Sequence, residues 1–268
     1  MMSFIVVIGL PFFVLVERAT AQRSVNDIVQ LEVLDGGAVS QHTHRIAIRL
    51  ILAPGWKTYW RVPGEAGIPP KLSFANSDNL KGSKIIWPLP KPFEQIQIQS
   101  IGYDEELVLP VDLFPHTPQT AIHLTGKIEI GICKDICIPV SLDFFQKLNP
   151  KKSMPSVIKA AYATRSLTAK EANVNWIKCS FSPLENGLML KANIQMPSTG
   201  GTEIAIVESG KSEVWVSEVT TDRVGGILKI SSSLRHVNAK HFVLDRSKIQ
   251  FTILGENRFV ELMGCATK

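Results

Sequence analysis

Alternation of apolar with polar residues constrains this chain more than any other feature. Between Val25 and Leu148 apolar side chains mostly recur at every second position, as in Ile46, Ile48 and Leu50 or Ile128, Ile130 and Ile132, which is the period of strands with one buried face. Prolines and glycines interrupt the pattern about every ten residues, the spacing of short strands in a β-sandwich. Prolines are densest in Pro54 to Pro70 (PGWKTYWRVPGEAGIPP) and Pro88 to Pro92 (PLPKP). Both are predicted to be long connections, because proline lacks the N–H that a ladder needs.

The pattern changes at Lys151. KKSMPSVIKAAYATRSLTAKEA places Val157, Ile158, Ala161 and Tyr162 at helical spacing, with Pro155 near the first turn and Ser153 as a candidate cap. A helical linker over 151–173 is expected. Strand patterns resume from Trp176 to Met263, with turn signals at Asn186-Gly187, Gly225-Gly226 and Gly255-Glu256-Asn257, and IQFTILGENRFVELMG reads as a hairpin. A chain of 268 residues exceeds the usual size of one domain. The expected architecture is therefore all-β: a sandwich over 22–150, a short helical linker, and a second sandwich-like domain over 174–268.

Hydrophobic residues make up 45% of the chain and charged residues 20%, which suits a packed core rather than disorder. The net charge of +5 comes from scattered lysines and arginines, with no basic run interleaved with aromatics, and this argues against a nucleic-acid partner. Phe4 to Val16 (FIVVIGLPFFVLV) is an unbroken apolar run, short for a membrane span and followed by the small-x-small pattern Ala19-Thr20-Ala21. Residues 1–21 read as an export signal, although Met1-Met2-Ser3 carries no positive charge and Glu17-Arg18 interrupts the approach to the cleavage site. A retained anchor or a buried first strand is the alternative. Export places the mature chain, from about Gln22, where disulfides persist.

Two of the four cysteines lie in GICKDICIPV, Cys133 and Cys137. On a straight strand they would stand roughly 13 Å apart, beyond disulfide reach, so the chain must turn between them. Lys134-Asp135-Ile136 has the length of a three-residue hairpin loop, with Asp135 a good turn former, and such a loop sets Cys133 opposite Cys137. So small a closure removes little entropy from the unfolded chain. A reversible dithiol–disulfide pair fits better than a staple. Two alternatives stay open: a fixed hairpin disulfide in a non-enzymatic binding module, and two thiolates holding Cu(I), to which His42 and His44 could add nitrogens, since alternate residues share a strand face; by themselves these two read as a surface histidine pair.

Cys179 and Cys265 bracket the second half of the chain. A disulfide between them would close a long loop and act as a staple; two buried free thiols are the alternative. GxSxG, HExxH and phosphate-binding glycine motifs are missing, so no cofactor is implied. Glu105-Glu106 reads as a solvated pair, and Trp56, Tyr59 and Trp60 read as packing residues, with binding as the alternative.

GWKTYWRVPGEAGIPP, WPLPKP, GYDEELVLPV and CKDICIP follow one another in an order that resembles the N-terminal domain of the DsbD family of thiol:disulfide interchange proteins, from about Val33 to Phe144. The second half, ending RFVELMGC, is similar to the extra region of the larger, suppressor-of-copper-sensitivity (ScsB-type) relatives. The resemblance implies an immunoglobulin-like sandwich in the periplasm whose cysteine pair, Cys133 and Cys137, relays reducing equivalents. It also implies a capping loop over the pair, for which Phe93 to Tyr103 is the matching segment. Phe93 and Tyr103 are then the expected shields, and Tyr59 the expected neighbour from an adjacent strand. The spacing of the pair is shorter than in the best-known members. The resemblance extends to neither the membrane electron-carrying domain nor the terminal thioredoxin-like domain of that family. Thioredoxin-like or Dsb-type periplasmic proteins are therefore expected as partners, with a separate membrane electron carrier as donor.

Overall fold

The computed structural model describes residues 24–65, 67–95, 98–239 and 241–265; the export signal expected over 1–21 lies outside them. Among the described residues no helix is long and apolar enough to cross a membrane.

Ten strands form the first half: β1 (Val29–Ser40), β2 (Thr43–Leu52), β3 (Lys57–Tyr59), β4 (Lys71–Ser73), β5 (Leu80–Ile85), β6 (Lys91–Gln95), β7 (Ile98–Asp104), β8 (Glu106–Pro115), β9 (Ile122–Cys133) and β10 (Cys137–Leu148). They make two antiparallel sheets. One has the order β1-β2-β8-β5; the other runs β10-β9-β3-β7-β6, with β4 added on β9. The alternation read from the sequence is the alternation of faces: Ile122, Leu124, Ile128, Ile130 and Ile132 of β9 are buried, while His123, Lys127 and Glu129 are exposed. Those side chains meet Ile46, Ile48 and Leu50 of β2 and Leu107, Leu109, Val111 and Leu113 of β8 in one core. Each such aliphatic contributes about 1.5–3 kcal/mol by leaving water. This is an immunoglobulin-like sandwich.

Both proline-rich stretches hold more structure than their composition suggests. Lys57–Tyr59 lies between Pro54 and Pro63 and still forms β3, because three residues free of proline suffice to pair with β7 on one side and β9 on the other. Pro92 lies within β6, the outermost strand of its sheet, opposite Ile101. A missing N–H is harmless on an open edge.

After the sandwich comes α1 (Ser156–Ala163), far shorter than a helix over 151–173. Its N-cap is Pro155 and not Ser153: the Pro155 carbonyl accepts from Ile158 and Lys159, and no side chain caps the turn. Ile158 is fully buried with Ala47 and Val108 on the outer side of the first sheet. Tyr162 stacks under Arg45, 3.7 Å from the guanidinium to the ring centre, and Arg45 forks onto Asp112. Beyond the helix the chain makes an isolated bridge between Leu167 and Val260. Leu167 donates to the Phe259 carbonyl at 2.8 Å and accepts from Glu261 at 3.0 Å.

The second half contains β11 (Trp176–Leu184), β12 (Gly187–Gln195), β13 (Ile204–Glu208), β14 (Val214–Val216), β15 (Thr220–Val224), β16 (Ile227–His236), β17 (Gln250–Leu254) and β18 (Phe259–Met263). A five-stranded sheet, β11-β12-β16-β14 with β15 on β16, faces a three-stranded sheet, β13-β17-β18. Leu190, Ile194, Ile230, Phe251, Ile253 and Leu262 lie between them. Gly225-Gly226 turns β15 into β16, and Gly255 to Arg258 turns β17 into β18.

The halves share apolar packing. Ile206, Leu254 and Phe259 of the second belong to the core cluster of the first, and Trp60 meets Phe259 edge-on at 6.4 Å.

Candidate functional site

Cys133 ends β9 and Cys137 begins β10, and the two are directly opposite in the ladder, Cα to Cα 4.1 Å, joined by a disulfide. Lys134, Asp135 and Ile136 form the loop between them, closed by Lys134 N–H donating to the Ile136 carbonyl at 3.1 Å. The ladder continues without a break from this pair to Leu148 opposite Ile122. Because Ile132 and Ile130 point into the core, Cys133 points to the other face. The disulfide therefore sits on the outside of the sandwich, at one end of its longest hairpin. Cys133 is wholly buried there and Cys137 is exposed.

What buries Cys133 can be read from the register. Lys57 pairs with Cys133 and Tyr59 lies two residues on, so Lys57, Tyr59 and Cys133 share the outer face. The Tyr59 hydroxyl is 3.0 Å from Cys133 Sγ and 3.2 Å from Cys137 Sγ. Neither sulfur of a disulfide carries a hydrogen, so the phenol is the donor. Burial pushes the Tyr59 hydroxyl above its ordinary value, which keeps that proton in place at neutral pH.

Phe93 of β6 also lies on this face, its ring 6.0 Å from that of Tyr59 and beneath Lys57 Nζ at 5.4 Å. The described parts of the segment Phe93 to Tyr103 are strand, belonging to β6 and β7. Tyr103 does not reach the sulfurs. It pairs with Thr58, whose side chain faces the core, so it projects to the side opposite Tyr59. There it is buried and donates to the Pro88 carbonyl at 3.0 Å. Burial raises its phenol well above the ordinary value.

A further cover comes from Gly67 and Ile68. A β-carbon on Gly131 would stand 2.7 Å from Ile68 Cβ, and one on Gly67 would stand 2.8 Å from the Tyr59 ring. Glycine at both positions lets this loop lie against the outer face beside the disulfide. Sequence reasoning passed over Ile68, although a lone glycine inside an aliphatic strand, as at Gly131, signals close approach of another segment.

Cys179 of β11 and Cys265 just after β18 are joined by a second disulfide, 86 residues apart in sequence, with Cα atoms 5.6 Å apart. It ties the two sheets of the second half. His42 and His44 do not form a pair on one face. His42 lies in the turn after β1, whereas His44 is buried with Nε2 2.7 Å from Asp35 Oδ1. Asp35 also accepts from Asn149, which follows the far end of β10, so this cluster lies a strand's length from the cysteines. Among the described residues no three His, Cys, Asp or Glu side chains are grouped to hold a metal ion. Glu105 and Glu106 are exposed; the first makes the tight turn into β8 with φ 58° and the second pairs with Arg49.

An immunoglobulin-like sandwich with a hairpin disulfide on its outer face, half covered and half open, defines a class: β domains that carry a reachable cysteine pair. Residues 28–149 match the family described as "Thiol:disulfide interchange protein DsbD, N-terminal". The N-terminal periplasmic domain of ScsB from Proteus mirabilis has the same fold, with a TM-score of 0.69 and 20% identity over 91% of this chain and 95% of that one. The N-terminal domain of DsbD from Neisseria meningitidis, in its reduced form, is 19% identical over 44% of this chain and 85% of that one. At a TM-score of 0.26 that likeness carries no structural comparison. No curated protein matches the chain.

Proposed function

We propose that this protein performs thiol–disulfide exchange in the periplasm, with Cys133 and Cys137 cycling between disulfide and dithiol against thioredoxin-like or Dsb-type proteins. The observation that carries the reading is the unequal exposure of the two sulfurs: Cys137 is open to solvent and Cys133 is wholly buried beneath Tyr59.

Exchange requires in-line attack of a thiolate on one sulfur of a disulfide. A donor's thiolate attacks Cys137 Sγ, forming the mixed disulfide and breaking the Cys133–Cys137 bond. The leaving electron pair goes to Cys133 Sγ, where the Tyr59 hydroxyl donates to it. The donor's second thiolate then attacks its own sulfur in the mixed disulfide and releases Cys137 as a thiolate. Two electrons have moved: the donor's dithiol is now a disulfide and this pair is reduced. Run backwards, the same steps reduce a partner's disulfide, with Cys137 attacking and Cys133 resolving. Phe93 shields the pair on one side. A separate membrane electron carrier supplies reductant.

The test is a redox titration of the intact protein in glutathione buffers, read by alkylation and mass measurement, together with trapping by Cys133→Ser. The expected result is reversible labelling of Cys133 and Cys137, with Cys179 and Cys265 protected, and a mixed disulfide through Cys137 with a thioredoxin-like protein. A pair that stays oxidised, or a Cys133→Ser variant that traps nothing, overturns the reading in favour of a fixed disulfide.

A further inference from the structure

The strand that brings Tyr59 to the disulfide is anchored outside its own sandwich. β3 is only three residues long, and the residues after Tyr59 turn at once to the second half of the chain. Trp60 is wholly buried edge-on against Phe259, and the Arg61 guanidinium lies over the Trp60 ring, 4.0 Å from its centre. Arg61 then bridges two carboxylates on different strands of the three-stranded sheet: Nη2 to Glu208 Oε2 at 2.7 Å and Nη1 to Glu261 Oε1 at 2.6 Å. Its Nη2 also donates to Thr252 Oγ1 at 3.2 Å, on the strand between them. Glu261 is held in turn, accepting from the Ser166 hydroxyl at 2.7 Å, while its own N–H donates to the Leu167 carbonyl.

Arg61 thus spans all three strands of that sheet from a point two residues beyond the phenol that touches both sulfurs. A planar fork held by two carboxylates is a directional anchor and not merely a charge pair. The pairs are only partly exposed, with side-chain exposures of 20% for Arg61, 30% for Glu208 and 26% for Glu261, so water screens them less than a surface pair.

We propose that Arg61 is a positioning residue for the cysteine pair, and that the second half of the chain thereby sets the redox equilibrium of Cys133 and Cys137. Through Arg61 and Trp60 the three-stranded sheet fixes the end of β3 and holds the Tyr59 hydroxyl against the sulfurs. The hydrogen bond it offers is stronger to a thiolate than to a disulfide sulfur, because one partner is then charged. Loosening the anchor weakens that preference and moves the equilibrium towards the disulfide. The inference rests on the exchange reading given above.

The experiment is a double-mutant cycle on the full chain, with Arg61→Met and Tyr59→Phe separately and together. The equilibrium constant of the Cys133–Cys137 pair against glutathione is measured by peptide-resolved alkylation. Arg61→Met, which keeps an apolar stem on Trp60, is expected to shift the constant towards disulfide by about three- to tenfold, and Arg61→Lys by less. In the Tyr59→Phe background the Arg61→Met shift should vanish, because coupled residues are not additive. Glu208→Gln, a milder change, serves if Arg61→Met does not fold, and should shift the constant in the same direction. Equal constants for wild type and the folded anchor variants, or shifts that simply add to that of Tyr59→Phe, overturn the proposal. A wild-type pair that glutathione cannot reduce at all overturns the exchange reading itself and this inference with it, and the two failures are told apart by that first measurement.

Discussion

The Tyr59 hydroxyl donates to Cys133 Sγ at 3.0 Å across the boundary between two strands that are paired only through Lys57 and Thr58. This contact bears on the half of the disulfide that solvent cannot reach. When the bond opens at Cys137, the buried sulfur becomes the leaving group and the phenol is already in place to stabilise its charge.

Tyr59→Phe should therefore disfavour the reduced pair. A hydrogen bond to a charged group is worth about 1.5–3 kcal/mol, so a shift of roughly tenfold or more towards the disulfide is expected at a pH where Cys133 ionises. Redox titration checks it, and alkylation rate against pH should show the Cys133 thiol ionising at higher pH in the variant.

Single cysteine variants should be unequal. Cys133→Ser leaves the exposed sulfur and should accumulate mixed disulfide with a thioredoxin-like probe. Cys137→Ser leaves only the buried one, and trapping about tenfold weaker or less is expected from access alone. Equal trapping by the two variants would contradict entry at Cys137.

Gly131→Ala should disturb the cover without touching a sulfur. Its β-carbon would collide with Ile68, and overpacking of this kind costs about 1–3 kcal/mol. Lower stability in urea and faster reduction of the disulfide by a small dithiol are the expected pair of effects.

Replacing Cys179 and Cys265 together by serine should cost stability and leave the other pair's redox equilibrium alone. Chain-entropy reasoning for a closure of 86 residues gives about 4–5 kcal/mol at most, and about 2–4 kcal/mol is the usual range. Denaturation midpoint and glutathione titration measure the two halves of this statement separately.

The Asp35–His44 pair predicts an acid limit to stability. Burial pushes the Asp35 carboxyl up, but hydrogen bonds from His44 and from the Asn149 and Gly37 N–H groups outweigh it and leave the value below the ordinary one. A carboxyl depressed in the folded state contributes stability that is fully present above the unfolded value of about 3.9 and is lost as pH falls through the lower folded value. Urea midpoints measured downwards from pH 5 should fall in that window. Asp35→Ala should cost about 1–3 kcal/mol by leaving His44 and two N–H groups without their partner, and its midpoint should vary less with pH there.

Much of this was legible in the residues, and the reasons are local. Strand alternation shows directly because the core residues of β9 from Ile122 to Ile130 each have an exposed neighbour, and the turn at Lys134–Ile136 follows from a distance that a straight strand cannot close. Tyr59 and Tyr103 illustrate the limit. Both are aromatic, both lie in strands, and nothing near either one in sequence says which face it takes. The pairing of Thr58 with Tyr103, 45 residues apart by their numbers, decides it. Likewise β3 was hidden among prolines because its strand character comes from two neighbours distant in the chain. The reach of Arg61 to Glu208 and Glu261 has no sequence signal at all, since ion pairs across an interface leave no periodicity.

The ladder below the Cys133–Cys137 bond is the feature with the widest consequence. Eleven further residue pairs, from Ile132 with Ile138 to Ile122 with Leu148, hold the two strands in register without help from the sulfurs. Opening the bond thus removes a clasp at the tip of a zipper that is already closed along its length. The oxidised and reduced molecules should share one backbone, and a partner meeting this hairpin would recognise the same shape in either state, distinguishing them only by what the two sulfurs can do.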